Sequence, residues 1–225
     1  TFQEEYKYLN LLRKVIYTGT FQTDFTGNGN FSLFGEQMKF TLKGGLIPIL
    51  TTRKLRWRNL IEELLWIVRG SINSKELAEK KVHIWDFNGS REFLNAIKLK
   101  DRMEGDLGPV WGFQWRHYGA KYIGMNCDYA NQGIDQLKNL IDTIRNNPDD
   151  QKTVMIDWNP VDEELMAVAP RFCLAQFYVA NRELSCHLYQ GSAEMSTEVP
   201  MSMARYALLT HMVAHVTKLE VFIHK

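Results

Sequence analysis

The strongest structural pattern in the sequence runs from Leu165 to His215, LMAVAPRFCLAQFYVANRELSCHLYQGSAEMSTEVPMSMARYALLTHMVAH. Two of its runs, Cys173–Val179 and Glu183–Gln190, are rich in apolar and aromatic residues, which predicts two strands joined by a tight connection at 180–182. Pro200 then opens a long helix that is apolar around most of its circumference. We therefore expect this helix to be a central, buried element.

Hydrophobic periodicity in the rest of the chain predicts further helices and strands. The predicted helices cover Tyr6–Tyr17, Trp57–Val68, Lys75–Lys80 and Gly133–Asn146, and a shaped loop followed by a helix covers Glu104–Gly119. The predicted strands cover Phe31–Leu42 and Thr153–Trp158, and a loop of Gly, Asn and Thr covers Phe21–Asn30. Strands and helices alternate without repeats or linkers, so we expect one α/β or α+β domain over residues 1–225.

Composition narrows the class of protein. A chain of 225 residues with 45% hydrophobic residues is long enough to bury one sizeable core. Its 27 basic and 26 acidic residues nearly cancel, which gives no electrostatic basis for binding nucleic acid. No apolar run approaches the roughly 20 residues of a membrane-spanning helix, so we expect no membrane span.

The cysteines indicate a compartment rather than a site. Cys127, Cys173 and Cys186 are few and scattered, which does not suit a disulfide framework. They do not combine with histidines at zinc-binding spacing either, so we expect no metal site. The sequence favours a reducing intracellular compartment, such as the cytosol or an organelle matrix like that of the mitochondrion.

Several long motifs occur in one order along the chain. They are IEELLW (61–66), IWDFNGSREFL (84–94), DLGPVWGFQWRHYGA (106–120), DYANQGIDQL (128–137), NNPDD (146–150), QFYVANRELSCHLYQ (176–190) and RYALLTHMVAHVTKL (205–219). Through them the chain resembles the thymidylate synthase family from about Tyr6 to Leu219. The resemblance implies the thymidylate-synthase-like fold, a large twisted mixed β-sheet backed by helices, with two subunits packed sheet against sheet.

The resemblance also implies a nucleophile position, and this chain departs from the family there. The family attacks C6 of a uracil nucleotide with the Cys of a Pro-Cys-His triplet. Here the triplet is Pro170-Arg171-Phe172, and an arginine side chain cannot replace a thiolate. Cys173 is the one candidate for rescue, because alternation in a strand puts it on the same face as Arg171. In a regular strand it would be displaced by about 6–7 Å, and its alternative interpretation is a buried apolar cysteine.

The family's phosphate-binding arginines are mostly absent. Their positions here hold Phe25, Gly191, Gln151 and Lys152, which leaves one cation. Each charge-assisted contact to phosphate contributes about 1.5–3 kcal/mol, so we expect very weak or absent binding of dUMP. Other positions that the resemblance assigns to the nucleotide or to the neighbouring loop also differ from the family pattern, namely Glu194, Glu198, Ser202 and Trp111.

Some site residues remain. Glu63 matches the family's catalytic glutamate, and Trp85, Asn88 and Ser192 match residues that line its folate and pyrimidine pockets. Lys152 is the remnant of the phosphate site. Each has a structural interpretation as well: Glu63 can support a water network, and Trp85 is a large residue suited to a core.

These departures lead to three hypotheses about function. The first is a pseudoenzyme that uses no cofactor, not even the family's methylenetetrahydrofolate, and acts as a structural subunit of a homodimer, a heterodimer or a larger protein complex. Under this hypothesis, the face of the sheet that contacts the partner carries Phe177, Val179, Leu184 and Leu188. The second is a diverged folate-dependent pyrimidine nucleotide C5 methyl- or hydroxymethyltransferase with Cys173, or no cysteine, as nucleophile.

The third hypothesis is a nucleotide- or folate-binding regulator without turnover. The chain ends at Lys225, where the family's sugar-holding Gly-Asp-Ala-His segment is expected to begin. Whether the family's C-terminal part follows is left open.

Overall fold

The computed structural model describes residues 2–23 and 29–224. In this part of the chain the helices are α1 (Phe2–Thr18), α2 (Trp57–Val68), α3 (Ser74–Glu79), α4 (Arg91–Ala96), α5 (Trp111–His117), α6 (Gln136–Asn146) and α7 (Glu198–Thr217). The strands are β1 (Thr20–Thr23), β2 (Gly29–Ser32), β3 (Phe40–Thr41), β4 (Val154–Ile156), β5 (Phe172–Ala180), β6 (Glu183–Gln190) and β7 (Glu220–His224).

The main sheet has five strands in the order β3-β7-β6-β5-β4. Its neighbours are antiparallel except β6 and β7, which run parallel because α7 carries the chain back across the sheet between them. The β5–β6 hairpin turns through Asn181 and Arg182, whose φ angles of 52° and 62° are those of a two-residue type I′ turn. The predicted mixed α/β fold and the predicted tight connection are both confirmed.

Helix α7 lies at the centre of the molecule. It packs on β6 and β7 and contacts α2 and α6, and most of its side chains are buried. Ala204 and Ala207 are small enough to let the helix approach its neighbours closely. The helix ends where Lys218 adopts the left-handed conformation, with φ 58°, before β7 begins. The prediction of a central buried helix is confirmed.

The two faces of the sheet are very different. Ala175, Phe177 and Leu184 face the core, whereas Leu174 and Tyr178 on the opposite face are 36% and 61% exposed. The expected partner-facing set of Phe177, Val179, Leu184 and Leu188 is therefore wrong, because those residues are buried in or packed against the core. The alternation of apolar and polar residues distinguishes the two faces of a strand, but it does not show which face packs against α7.

Other differences follow from turns and long-range pairing. The predicted strand 31–42 is regular only at its ends, since Gly35 with φ 79° turns the chain between β2 and β3. Part of the predicted loop 21–30 pairs as β1 and β2, and the rest, 24–28, lies outside the described residues. Helix α4 and strand β7 were not predicted. No helix in the described ranges combines the length and apolarity that crossing a bilayer demands.

Candidate functional site

The carboxylate of Glu63 is buried and held in one orientation. Helix α2 buries one face through Leu60 and Leu64, and Glu63 lies on that same face with 1% exposure. Trp85 donates a 2.9 Å hydrogen bond from Nε1 to Oε1 of Glu63, and the guanidinium of Arg205 pairs with Oε2. Both oxygens of the glutamate that matches the family's catalytic residue are thus engaged by side chains.

An aromatic wall stands beside this carboxylate. The rings of Trp85 and Trp111 are 4.8 Å apart between centroids, and Trp111 is almost fully buried. Within the described part of the chain, the indole Nε1 of Trp111 has no hydrogen-bond partner. A buried donor without an acceptor costs about 1–3 kcal/mol, so this group favours a bound molecule or water that supplies the acceptor. Asn88, half-buried, follows Trp85 in the same turn.

Sequence reasoning missed two residues of this site, Arg205 and Asp157. Arg205, on α7, is 8% exposed, and its guanidinium lies 5.5 Å from the centroid of the Phe172 ring. Asp157 follows β4, is 2% exposed, and accepts a 2.5 Å hydrogen bond from Nε1 of Trp115. Each could have been found as a charged residue inside an apolar run, in MARYALL and in VMIDW. An unpaired charge is costly to bury, so a charge in such a run indicates a buried partner.

Burial raises the pKa of the Asp157 carboxyl to about 7. The hydrogen bond from Trp115 and the charge of Arg205 oppose this increase, and the nearby Tyr206 hydroxyl opposes it more weakly. The contact with Tyr206 does not meet the geometry of a hydrogen bond, and Oδ2 of Asp157 has no partner among the described residues. Asp157 therefore changes charge close to neutral pH.

Arg171 occupies the rim of the site. It is half-exposed, and its guanidinium pairs with the carboxylate of Glu198 at the start of α7. The other oxygen of Glu198 accepts a 3.1 Å hydrogen bond from the backbone nitrogen of Glu194. Deeper in, Nε2 of Gln190 donates a 3.3 Å hydrogen bond to Oγ of Ser202. The position that the resemblance assigns to a nucleophile thus holds an ion-paired cation.

Cys173 lies on a β-bulge. The β5–β6 register shifts between Phe172 and Leu174, so Cys173 is the extra residue. A Cβ placed on Gly191 would lie 3.1 Å from the Sγ of Cys173, which means that the thiol borders the space that a side chain at 191 would occupy. The expected displacement of Cys173 assumed a regular strand, and the bulge removes that assumption.

The predicted site residues fall into three groups. Glu63, Trp85 and Phe172 are brought together through Arg205. Arg171 is the residue before Phe172 in the chain. Ser192 and Lys152 are exposed and make no side-chain contact with that group among the described residues. Phe25 lies outside the described residues. Across residues 2–23 and 29–224, no three metal-ligating side chains are grouped closely enough to hold an ion together.

Comparison with known proteins finds relatives over nearly the whole chain. The family model described as thymidylate synthase matches residues 6–225. The bifunctional dihydrofolate reductase-thymidylate synthase of Glycine max is 54% identical over 216 residues, which are 96% of this chain and 41% of that protein. The thymidylate synthase of Homo sapiens is 51% identical over 222 residues, 98% of this chain and 71% of that protein. The chain thus spans about two fifths of the bifunctional relative.

These findings contradict two sequence-based expectations. Relatives that share about half of the aligned residues over nearly the whole chain are named as synthases, which contradicts the hypothesis of a structural pseudoenzyme. The expectation that no cofactor is used is wrong for the same reason, since the family uses methylenetetrahydrofolate. The physical reason is that the substitutions at Arg171 and Phe172 leave the buried part of the site, with its oriented Glu63 carboxylate, in place.

Proposed function

The chain belongs to the thymidylate synthase family, and we propose that it catalyses folate-dependent transfer of a one-carbon unit to C5 of a uracil nucleotide. The observation that carries this proposal is the identity of about half of the residues with named thymidylate synthases over 96–98% of the chain. The buried Glu63, with both oxygens engaged, supports it, because proton transfer at C5 needs a carboxyl group of fixed orientation.

The residues present suit a folate. Trp85 and Trp111 offer an aromatic wall for a flat pteridine ring, and the unpartnered Nε1 of Trp111 offers a donor. Asn88 would supply an amide beside them. When bound, methylenetetrahydrofolate supplies the one-carbon unit and the electrons that reduce it. The chain's own residues would hold the rings, exclude water and position Glu63.

Arg171 leaves the proposed reaction in need of a nucleophile, and Cys173 is the candidate. Its thiol borders the space above Gly191, close to the backbone of Arg171. The Cys173 thiolate would add to C6 of the uracil, so that C5 becomes nucleophilic. C5 would take up the one-carbon unit as that unit's bond to the folate nitrogen breaks, and C5 would lose its proton to a base. Hydride supplied by the folate to that unit would then expel the thiolate from C6. Glu63 would relay the protons of these steps.

Weak nucleotide binding remains a prediction. Gly191 and Gln151 offer no charge to a phosphate, and Arg171 is already paired with Glu198. We expect a high KM for dUMP rather than a failure to react. We also propose that residues 1–225 form one domain and that the protein works in a reducing compartment.

The proposal includes a homodimer, formed through the exposed face of the sheet. That face carries Leu174, Tyr178, Tyr189 and Ile156, all at least 36% exposed. Ile156, Leu174 and Tyr189 pair across adjacent strands. Exposed apolar side chains of this kind are costly to leave in water and are typical of an interface between subunits.

The test is release of tritium from dUMP labelled at C5, with methylenetetrahydrofolate and with dUMP at millimolar concentration. The expected result is folate-dependent release, lost in the Cys173→Ala and Glu63→Gln variants. Release by the Cys173→Ala variant at the wild-type rate would exclude Cys173 as nucleophile. A wild-type protein that is folded and yet releases no tritium at saturating folate and dUMP would overturn the proposed function.

A further inference from the structure

The carboxylate of Glu198 occupies the guanidinium of Arg171 at the rim of the site. Nη1 of Arg171 pairs with Oε1 of Glu198, and Oε2 accepts a 3.1 Å hydrogen bond from the backbone nitrogen of Glu194. Donors thus face both oxygens of this carboxylate, and one of the donors is a cation. A carboxylate held in this way marks a place where the protein binds an anion.

We propose that Arg171 binds the 5′-phosphate of the nucleotide, and that Glu198 is an internal competitor which the phosphate has to displace. The inference rests on the proposed function, since its premise is a nucleotide that presents C6 to Cys173. It names the phosphate-binding cation of this chain and gives a physical reason for weak binding of dUMP.

Arg171 borders the same open space as the proposed nucleophile. Its carbonyl oxygen accepts a 2.9 Å hydrogen bond from the backbone nitrogen of Gly191. A Cβ on Gly191 would lie 3.1 Å from the Sγ of Cys173 and 3.9 Å from that carbonyl oxygen. In a nucleotide whose base is anti, C6 faces the 5′ end of the sugar. A base with C6 at Cys173 therefore brings its 5′-phosphate towards Arg171.

The pair of Arg171 and Glu198 is weak enough for a phosphate to replace it. Their side chains are 53% and 26% exposed, and an ion pair that water screens to this extent contributes little. Among the described residues, Nη1 is the one side-chain nitrogen of Arg171 that has a partner. A phosphate carries up to two negative charges and can take two donors of a guanidinium at once, so it competes well with the carboxylate.

The charges of the adjoining loop explain why the competitor matters. Glu194 accepts hydrogen bonds from two hydroxyl groups of its own loop, which hold the pKa of its carboxyl below the usual value and keep it ionised. Glu194 and Glu198 thus set two negative charges against the positive charge of Arg171. Replacing Glu198 by a neutral residue removes the excess. From the segment before α2, the exposed Arg53 also acts on Glu194, so Arg53 is the other cation to test.

The test is equilibrium binding of dUMP and of deoxyuridine, measured by calorimetry. In Glu198→Gln, the Kd of dUMP should fall at least about fivefold while that of deoxyuridine stays within about twofold, because only the phosphate gains a donor. In Arg171→Met, dUMP should lose its advantage over deoxyuridine, and salt should no longer weaken its binding selectively. The exposed pair of Arg69 and Glu76 is the matched control, so Arg69→Met and Glu76→Gln should change neither Kd.

Three outcomes would overturn the inference. The first is an equal change in the Kd of dUMP and of deoxyuridine in Glu198→Gln, which indicates a structural effect. The second is loss of the advantage of dUMP in Arg53→Met but not in Arg171→Met. The third is a Glu198→Gln variant that is folded and binds neither compound at about 10 mM.

Release of tritium decides the proposed function separately. If tritium is released and dUMP binding does not depend on Arg171, the function stands and this inference is wrong. If binding follows the expected pattern and no tritium is released, Arg171 is the phosphate-binding residue of a protein without the proposed activity.

Discussion

The backbone nitrogen of Gly191 donates a 2.9 Å hydrogen bond to the carbonyl oxygen of Arg171. The position at which the family resemblance places a nucleophile and one at which it places a phosphate-binding arginine are therefore direct neighbours across β5 and β6. At these two neighbouring positions the cation lies just before β5 rather than just after β6. Because Gly191 has no side chain, the space beside its Cα is open to the thiol of Cys173.

This arrangement predicts the reactivity of the cysteines. In a Cys127→Ala background, which removes the exposed thiol, iodoacetamide at pH 8 should modify Cys173 and spare Cys186. Burial raises the pKa of the Cys186 thiol to about 12, so it carries almost no thiolate. Peptide mass spectrometry measures both rates. Millimolar dUMP should slow the modification of Cys173, with inorganic phosphate as the control. Equal rates with and without dUMP would place Cys173 outside the nucleotide site.

Local pattern was enough to predict much of this fold. Helix α2 has the bounds that its apolar periodicity predicts, and the β5–β6 hairpin lies where alternating apolar residues surround a short polar connection. Strand β7 was missed because five residues without a turn signal became a strand only by pairing with β6 and β3. The core-facing side of β5 was assigned wrongly because alternation defines two faces without saying which one a helix covers.

The site was predictable where a motif carried it. Glu63 and Trp85 lie in motifs, and the structure joins them by a hydrogen bond. Arg205 and Asp157 were missed because each looks like a single polar interruption of an apolar element, and only the tertiary structure brings Arg205 to Glu63 and Asp157 to Trp115. The bulge at Cys173 was unpredictable for a similar reason, since a bulge depends on the register of both strands.

Asp157 should make the stability of the protein depend on pH. Its pKa is about 7 in the folded state against an ordinary value of 3.8, so between these values the folded state binds more protons than the unfolded state. Stability contributed by this group therefore falls as pH rises from about 4 to 7 and is constant above that range. Asp157→Asn removes the effect, because the amide oxygen still accepts from Trp115 while the charge is gone.

The expected result is a variant that is more stable than wild type at pH 8, by up to about 4 kcal/mol for a shift of about three units, and little different at pH 4.5. Urea unfolding at the two pH values measures this. Asp142→Asn, on the exposed face of α6, is the matched control and should show no such trend. A difference between Asp157→Asn and wild type that is the same at both pH values would contradict the assignment.

The exposed face of the sheet predicts how the proposed dimer is disrupted. Tyr178 is 61% exposed on β5, on the same face of the sheet as the apolar Leu174 and Tyr189. Tyr178→Asp places a charge that an apolar interface would have to bury unpaired, so the dissociation constant should rise at least about tenfold. Analytical ultracentrifugation measures it. Tyr17→Asp on α1, where the tyrosine is 83% exposed away from the sheet, is the control and should not change it. A wild-type chain that is monomeric at micromolar concentration would rule out the dimer.

The two arginine–glutamate pairs of the site should differ in what they contribute to stability. Arg205 and Glu63 are 9% and 2% exposed at their side chains, whereas Arg171 and Glu198 are 53% and 26% exposed. Removing Arg205 as Arg205→Met leaves the Glu63 charge buried and unpaired, which should cost about 3–5 kcal/mol. Removing Arg171 as Arg171→Met breaks a pair that water and salt already screen, which should cost at most about 1 kcal/mol. Denaturant unfolding of the two matched variants gives the comparison.

The double variant Arg205→Met with Glu63→Leu should recover most of the loss, because it replaces a broken pair by apolar groups. If the double variant were as unstable as Arg205→Met alone, the cost would lie in packing around Phe172 and not in the unpaired carboxylate.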